Sequence, residues 1–228
     1  VNRRDFLRTS AGVGAGLATA SLIETAMAQE APAPGKSDDL NVAVIGLGAQ
    51  GRVLIEAALR IPGIRFKAVC DIWSEYNLKR ATNLLKKYNF EVNGYEDYQT
   101  MLSTEKDLDA VVIATPVSTH HPLAKEFLNA GKHVFVEKPF TASSAEAKEL
   151  VELAKAKDRV VMVGHTFEYS PPVLKIKELI DRGELGKIYY ISASRVNLGL
   201  HQKDVSVIWD LAPHDFSILF DWLDEIFK

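Results

Sequence analysis

The sequence has a single cysteine, Cys70, which excludes an internal disulfide and a cysteine-built metal cluster. It lies in an apolar run, where a thiol packs as a small core residue. No block of basic residues stands out and the net charge is −3, which argues against a nucleic-acid partner. No apolar run reaches the roughly 20 residues of a membrane span, so no membrane anchor is expected. No internal repeat is visible, and no metal site is expected. What is present is an ordinary globular mixture, 47% hydrophobic and 25% charged over 228 residues, enough to bury a sizeable core.

The chain is organised around Asn41-Val42-Ala43-Val44-Ile45-Gly46-Leu47-Gly48-Ala49-Gln50-Gly51. Leu40 to Ile45 is apolar without alternation, as in a strand buried on both faces. The run breaks at Gly46, and from Arg52 to Arg60 the apolar spacing turns helical. Strand, glycine turn and helix in that order are the context in which G-x-G-x-x-G binds a dinucleotide. Gly46 allows the tight turn, Gly48 lets the backbone approach a pyrophosphate, and Gly51 brings helix and strand together. With Ala49 and Gln50 between them, these are the candidate cofactor residues. Asp71 ends the next apolar run, 20 residues after Gly51, where a carboxylate meets the adenosine ribose hydroxyls. With no arginine directly beside it, the carboxylate predicts NAD rather than NADP, because it repels a 2′-phosphate.

After Asp71 strands and helices keep alternating. Ser74 is expected to cap a helix to about Lys87, and Tyr95 to Leu102 reads as a short helix. Ala110 to Ala114 reads as a buried strand ending in Thr115-Pro116, followed by a helix from about His121 to Asn129 with Gly131 as its stop. His133 to Val136 is the next strand, closed by Glu137-Lys138-Pro139. Ser143 or Ser144 starts a helix to about Lys157, and Val160 to Val163 is a further strand. The pattern predicts an α/β fold, a Rossmann doubly wound parallel sheet over residues 40–163. From Gly164 the pattern changes: a helix from about Pro172 to Asp181, an alternating strand from Ile188 to Ser194, and a helix from Trp209 to Phe227. These form an incomplete α+β substrate and oligomerisation domain over 164–228, since one strand and two helices cannot close a stable sheet.

Ligands of such sheets bind beyond the carboxyl ends of the strands. The segments that arrive there are Gly46–Gly51, Asp71, Thr115-Pro116 to His120, and Glu137-Lys138-Pro139, with Asp210 and His214 coming from the second part. In combination with Ala130-Gly131-Lys132-His133-Val134, this set resembles the Gfo/Idh/MocA oxidoreductases, which include glucose–fructose oxidoreductase and inositol dehydrogenase. The resemblance implies hydride transfer between a nicotinamide dinucleotide and a secondary hydroxyl of a sugar, cyclitol or sugar derivative, and a homo-oligomer if the chain is full length. It also implies that Glu137 fixes Lys138 and the nicotinamide ribose, that Lys138 faces the nicotinamide end, and that Thr115, Pro116 and His120 lie near the cofactor. His121 and His133 are not assigned to the site. Trp209-Asp210-Leu211-Ala212-Pro213-His214 resembles the family's D-x-x-x-H element. Its four-residue spacing stacks two side chains on one helix face, and Pro213 belongs in the first turn, which makes Asp210 the N-cap. His214 is the expected general base, with Asp210 orienting substrate and Lys138 as electrostatic partner. The alternative in which Lys138 is the base stays open. His165-Thr166-Phe167-Glu168-Tyr169 stands where many family members carry Asn-Arg-Arg or Asn-Tyr-Arg, and resembles the branch acting on sugars and sugar nucleotides. Arg195 and Asn197 are placed within reach of the substrate.

Residues 1–28 read as an address. Arg3-Arg4 followed by Phe6-Leu7, an Ala/Gly-rich segment and Ala26-Met27-Ala28 resemble a twin-arginine export signal, with Asn2 and Arg8 departing mildly from its form. The mature chain is expected to start near Gln29, with 29–39 as a flexible arm, and to reside in the periplasm. An exported dehydrogenase must carry its dinucleotide out with it, so tight cofactor binding is expected. The competing reading is a non-catalytic nucleotide-binding protein or truncated pseudo-enzyme of the same fold; retention of Lys138 and His214 weighs against it.

Overall fold

A computed structural model describes residues 39–195 and 204–223. The expected leader, the arm up to residue 38 and Asn197 lie outside the described residues. Six strands form one parallel sheet: β1 (Leu40–Ile45), β2 (Ile64–Cys70), β3 (Asn93–Tyr95), β4 (Ala110–Ile113), β5 (His133–Val136) and β6 (Val161–Val163). Their spatial order is β3-β2-β1-β4-β5-β6, so the direction of winding reverses between β1 and β4. That reversal opens a crevice at the carboxyl ends of these two strands.

Both sheet faces are covered, which explains why β1 is apolar from Val42 to Ile45. Ala43 and Ile45 point into one core, built with Met101, Phe127, Leu128 and Leu150. Val44 points into the other, with Leu47, Ile55, Ala81 and Leu85. In β2 the pairing with β1 slips between Val42↔Phe66 and Ala43↔Ala68. The extra residue, Lys67, makes a bulge, so Phe66 enters the second core while Ala68 and Cys70 enter the first. Cys70 is buried, and its thiol is pushed up to about 12 by burial, then by Asp97 and Asp71, so it stays neutral and unreactive.

The helices between the strands follow their capping chemistry. Helix α1 (Ala49–Ala58) starts three residues earlier than the apolar spacing indicated, directly on Gly48. Ser74 does not cap a helix: 74–78 form a π-helical turn leading into α2 (Lys79–Lys87). The helix expected from Tyr95 is instead β3 followed by α3 (Tyr98–Thr104). Asp97, not Tyr95, opens that helix, its side chain accepting from the Thr100 N–H. After α4 (His120–Asn129) the Gly131 N–H bonds Leu128 O at 3.0 Å and the Lys132 N–H bonds Phe127 O at 3.0 Å, the paired closure of a Schellman motif. Helix α5 (Ser144–Ala156) carries a full capping box between Ser143 and Glu146.

Beyond β6, helix α6 (Pro171–Asp181) forms close to its expected span. Residues 188–195 are not a strand. Tyr189 and Tyr190 are 82% and 86% exposed, and an alternating segment without a neighbouring strand to bond has nothing to hold it extended. Helix α7 (Val207–Leu223) begins before Trp209, so Pro213 lies inside the helix rather than in its first turn. Asp210 is therefore not the N-cap. Ser206 takes that place, accepting at Oγ from the Trp209 N–H at 3.2 Å. The helix tolerates Pro213 with the Trp209 carbonyl left without its helical donor. Among the described residues no helix is long and apolar enough to cross a membrane.

Candidate functional site

The glycine turn sits at the mouth of the crevice. Gly46 has φ +86°, and a Cβ there would lie 2.5 Å from Ala114 O. At Gly51 a Cβ would lie 1.9 Å from Gly46 O, so helix and strand meet at a separation only glycine permits. Gly48 differs: nothing lies within 4 Å of its added Cβ, so the space it faces is open. Helix α1 has no side-chain cap on Gly48 and no acidic residue in its first turn. Its free N–H groups and the helix dipole suit a pyrophosphate. The residues present thus fit the phosphates of a dinucleotide.

Asp71 follows β2 at 9% exposure. Oδ2 accepts from the Leu47 N–H at 2.7 Å and from Asn77 Nδ2 at 3.2 Å, and Oδ1 accepts from the Trp73 N–H at 2.8 Å. The carboxylate therefore ties the glycine turn to the end of β2. With three donors on two oxygens it retains acceptor capacity for a ribose hydroxyl.

Thr115 and Pro116 end β4, and Thr119 Oγ1 lies 2.7 Å from Thr115 Oγ1. His120 is 1% exposed, and both ring nitrogens lie 2.8 Å from backbone carbonyl oxygens, Nδ1 from Pro139 and Nε2 from Thr115. The ring has no polar atom left for a cofactor; it clamps the loop after β4 to the loop after β5. His121 pairs with Glu149 at 2.9 Å and His133 Nδ1 accepts from the Val160 N–H at 3.0 Å.

Glu137 is 6% exposed. Its Oε1 accepts from Gln50 Nε2 at 2.8 Å and its Oε2 from the Lys138 N–H at 3.0 Å. It joins the first turn of α1 to the residue that follows β5. Gly164, at the end of β6, makes room for it, since a Cβ there would lie 3.2 Å from the Glu137 carboxyl carbon. Neither Gly164 nor the glutamine–glutamate bridge was legible beforehand, because no local pattern brings residues 50, 137 and 164 together.

Lys138 Nζ donates to Asp210 Oδ1 at 2.8 Å and to Asp210 O at 3.2 Å. The pair is largely buried, with side-chain exposures of 22% and 16%. Trp209 Nε1 anchors the same turn of α7 by donating to Thr141 O at 2.8 Å. One turn on, the His214 ring meets the Phe167 ring edge-on at 4.8 Å, and its Nδ1 is buried without a partner. Burial, then the charges of Lys138, Arg195 and His165, lower its pKa to about 4, against an opposing pull from Asp215. The imidazole is neutral near pH 7. Arg195 donates from Nε to Asp215 Oδ2 at 2.9 Å and stacks over the Phe167 ring at 5.0 Å. An ammonium, a carboxylate and a neutral imidazole thus converge beside the loop after β5.

Residues 40–165 match the model of an oxidoreductase family with an NAD-binding Rossmann fold, GFO_IDH_MocA. Residues 1–20 match the signal sequence of the twin-arginine translocation pathway. The glycosyl hydrolase family 109 protein 2 of Shewanella sp. (strain ANA-3) is 32% identical over 212 residues, 86% of this chain and 46% of that protein. The inositol 2-dehydrogenase of Salmonella paratyphi B is 29% identical over 193 residues, 83% of this chain and 56% of that one. GenD2 from gentamicin A biosynthesis, solved in complex with NAD, superposes with a TM-score of 0.68 at 26% identity, covering 84% of this chain and 56% of its own. The chain spans about half the length of the curated relatives it matches.

Proposed function

The chain belongs to the Gfo/Idh/MocA oxidoreductases, with their NAD-binding Rossmann fold, and on that premise we propose that it oxidises or forms a secondary hydroxyl of a sugar, cyclitol or related polyol. The observation that carries the reading is the Lys138–Asp210 pair at 2.8 Å next to the neutral His214, at the carboxyl end of β5. The bound nicotinamide supplies the hydride acceptor. His214 takes the hydroxyl proton, because a neutral imidazole offers a lone pair near pH 7. The Lys138 charge, in a largely buried pair, stabilises the negative charge that grows on the substrate oxygen. Asp210 holds the ammonium, which favours His214 over Lys138 as the base. Glu137 fixes Lys138 through its backbone and α1 through Gln50.

The cofactor is NAD in preference to NADP, supported by the Asp71 carboxylate at the end of β2, which repels a 2′-phosphate. Thr115 and Pro116 line the cofactor side of the crevice, and 164–228 contribute the substrate side, with assembly into an oligomer. The twin-arginine signal at residues 1–20 directs export to the periplasm. That route moves folded proteins, so the dinucleotide travels with the chain and is held tightly.

Lys138→Ala tests the reading. NAD binding, followed by fluorescence titration, should stay within about threefold, while NAD reduction with polyols falls by about 100-fold or more. Near-normal turnover would remove Lys138 from the chemistry. The relative named a glycosyl hydrolase favours a second reading, in which the carbohydrate at this site is a glycoside and hydride transfer is transient. Release of free sugar without net NAD reduction would select it.

A further inference from the structure

His165 follows Gly164, the residue packed on Glu137, and precedes by two positions Phe167, whose ring abuts His214. It is half-buried and has no role in the mechanism above. Its backbone N–H bonds Val163 O at 2.8 Å, which fixes the residue at the end of β6. Among the described residues its imidazole has no hydrogen-bond partner: Nδ1 is enclosed without one, as is Nδ1 of His214. The two rings are close enough for His165 to lower the proton affinity of His214. Two neighbouring imidazoles without hydrogen-bond partners are unusual, since enclosed polar groups are nearly always satisfied. His214 abuts Phe167, two positions after His165, and lies one helical turn from Asp210, which holds the Lys138 ammonium at 2.8 Å.

We propose that His165 is a substrate-positioning residue that bonds the hydroxyl next to the one being oxidised, so that the site takes vicinal diols and discriminates against substrates lacking the second hydroxyl. The proposal rests on the oxidoreductase reading above. An imidazole carries two ring nitrogens, at least one of them a donor, which suits a hydroxyl. With His214 and Lys138 on the reacting oxygen and His165 on its neighbour, the substrate carbon is held at two points, and rotation about the bond between the carbons is stopped. A site built to bond a hydroxyl rejects the analogue that lacks it more strongly than an apolar pocket rejects a missing methylene.

The test compares myo-inositol and D-glucose, each against the analogue lacking one hydroxyl beside the oxidised carbon, in wild type, His165→Phe and His165→Asn. The readout is NAD reduction by the NAD-loaded mature protein. Wild type should prefer the intact polyol by about tenfold or more in kcat/KM. His165→Phe should bring that ratio to near one, mainly through KM, while His165→Asn restores part of it. In wild type, the 15N resonances of the His165 ring should shift when either polyol is added, a measurement that needs no variant to fold. An unchanged preference in His165→Phe, or unshifted ring resonances, overturns the role of His165 and leaves the oxidoreductase reading standing. A wild-type protein that binds NAD but reduces it with neither polyol overturns both.

Discussion

Lowering the pH should destabilise this protein through His214 in particular. Its imidazole has a pKa of about 4 in the folded protein against 6.5 when unperturbed, because burial and the Lys138, Arg195 and His165 charges all oppose a second positive charge. Between these two values the unfolded chain binds a proton that the folded chain refuses, so stability falls as pH drops. It is fully retained above about 6.5 and is lost progressively from there down to about 4. At 1.36 kcal/mol per pH unit, the drop from 6.5 to about 4 sets an upper limit of roughly 3 kcal/mol, which solvent around the half-buried ring reduces to on the order of 1–2 kcal/mol, a sizeable share of the 5–15 kcal/mol typical of a domain. His214→Phe removes the titration but keeps a ring against Phe167. Urea unfolding of both proteins at intervals from pH 7.5 to pH 4 isolates the effect, since groups that titrate equally in the two cancel. The wild type should lose on the order of 1–2 kcal/mol more than the variant over that range. Parallel stability curves would refute the buried, neutral state of His214 and with it its suitability as a base at neutral pH.

Two glycines of the same turn should separate folding from cofactor binding. Gly51→Ala puts a Cβ 1.9 Å from Gly46 O and should prevent a folded product or lower Tm by more than about 10 °C. Gly48→Ala meets no protein atom within 4 Å and should leave Tm nearly unchanged while weakening NAD in a titration by about tenfold or more; unaltered affinity would mean that the phosphates do not approach there. Replacing Arg3 and Arg4 by Lys should leave precursor in the cytoplasm, read by fractionation and immunoblot. Continued export of that double variant would refute twin-arginine recognition.

Much of the fold was legible because its signals are local. An apolar run closed by Gly46, a carboxylate at the end of the next run, Gly131 after a helix and a serine at 143 or 144 before the next one each act through backbone geometry within a few residues. Such signals survive in sequence whatever the chain does elsewhere, and together they imply a parallel sheet. Elements whose existence depends on a partner were misread. β3 is three residues long and is a strand only because it bonds β2. The alternating residues from Ile188 are not a strand, because no neighbouring strand bonds them. Pro213 reads as a first-turn residue until Ser206 is seen to start the helix.

The candidate site divides along the same line. Its residue types and their order along the chain were set by the sequence: glycines for close approach, Asp71, Lys138, Asp210 and His214. Tertiary structure alone decided what each touches. It turned His120 inward onto two carbonyls, joined Gln50 to Glu137 across 87 positions, and brought Asp210 to Lys138 across 72. It also brought His165, two residues from the ring that abuts His214, to the same end of the sheet, where burial and neighbouring charge keep His214 neutral. Identity and local backbone preference are written one residue at a time, whereas pairing, burial and electrostatic environment arise only when distant segments meet.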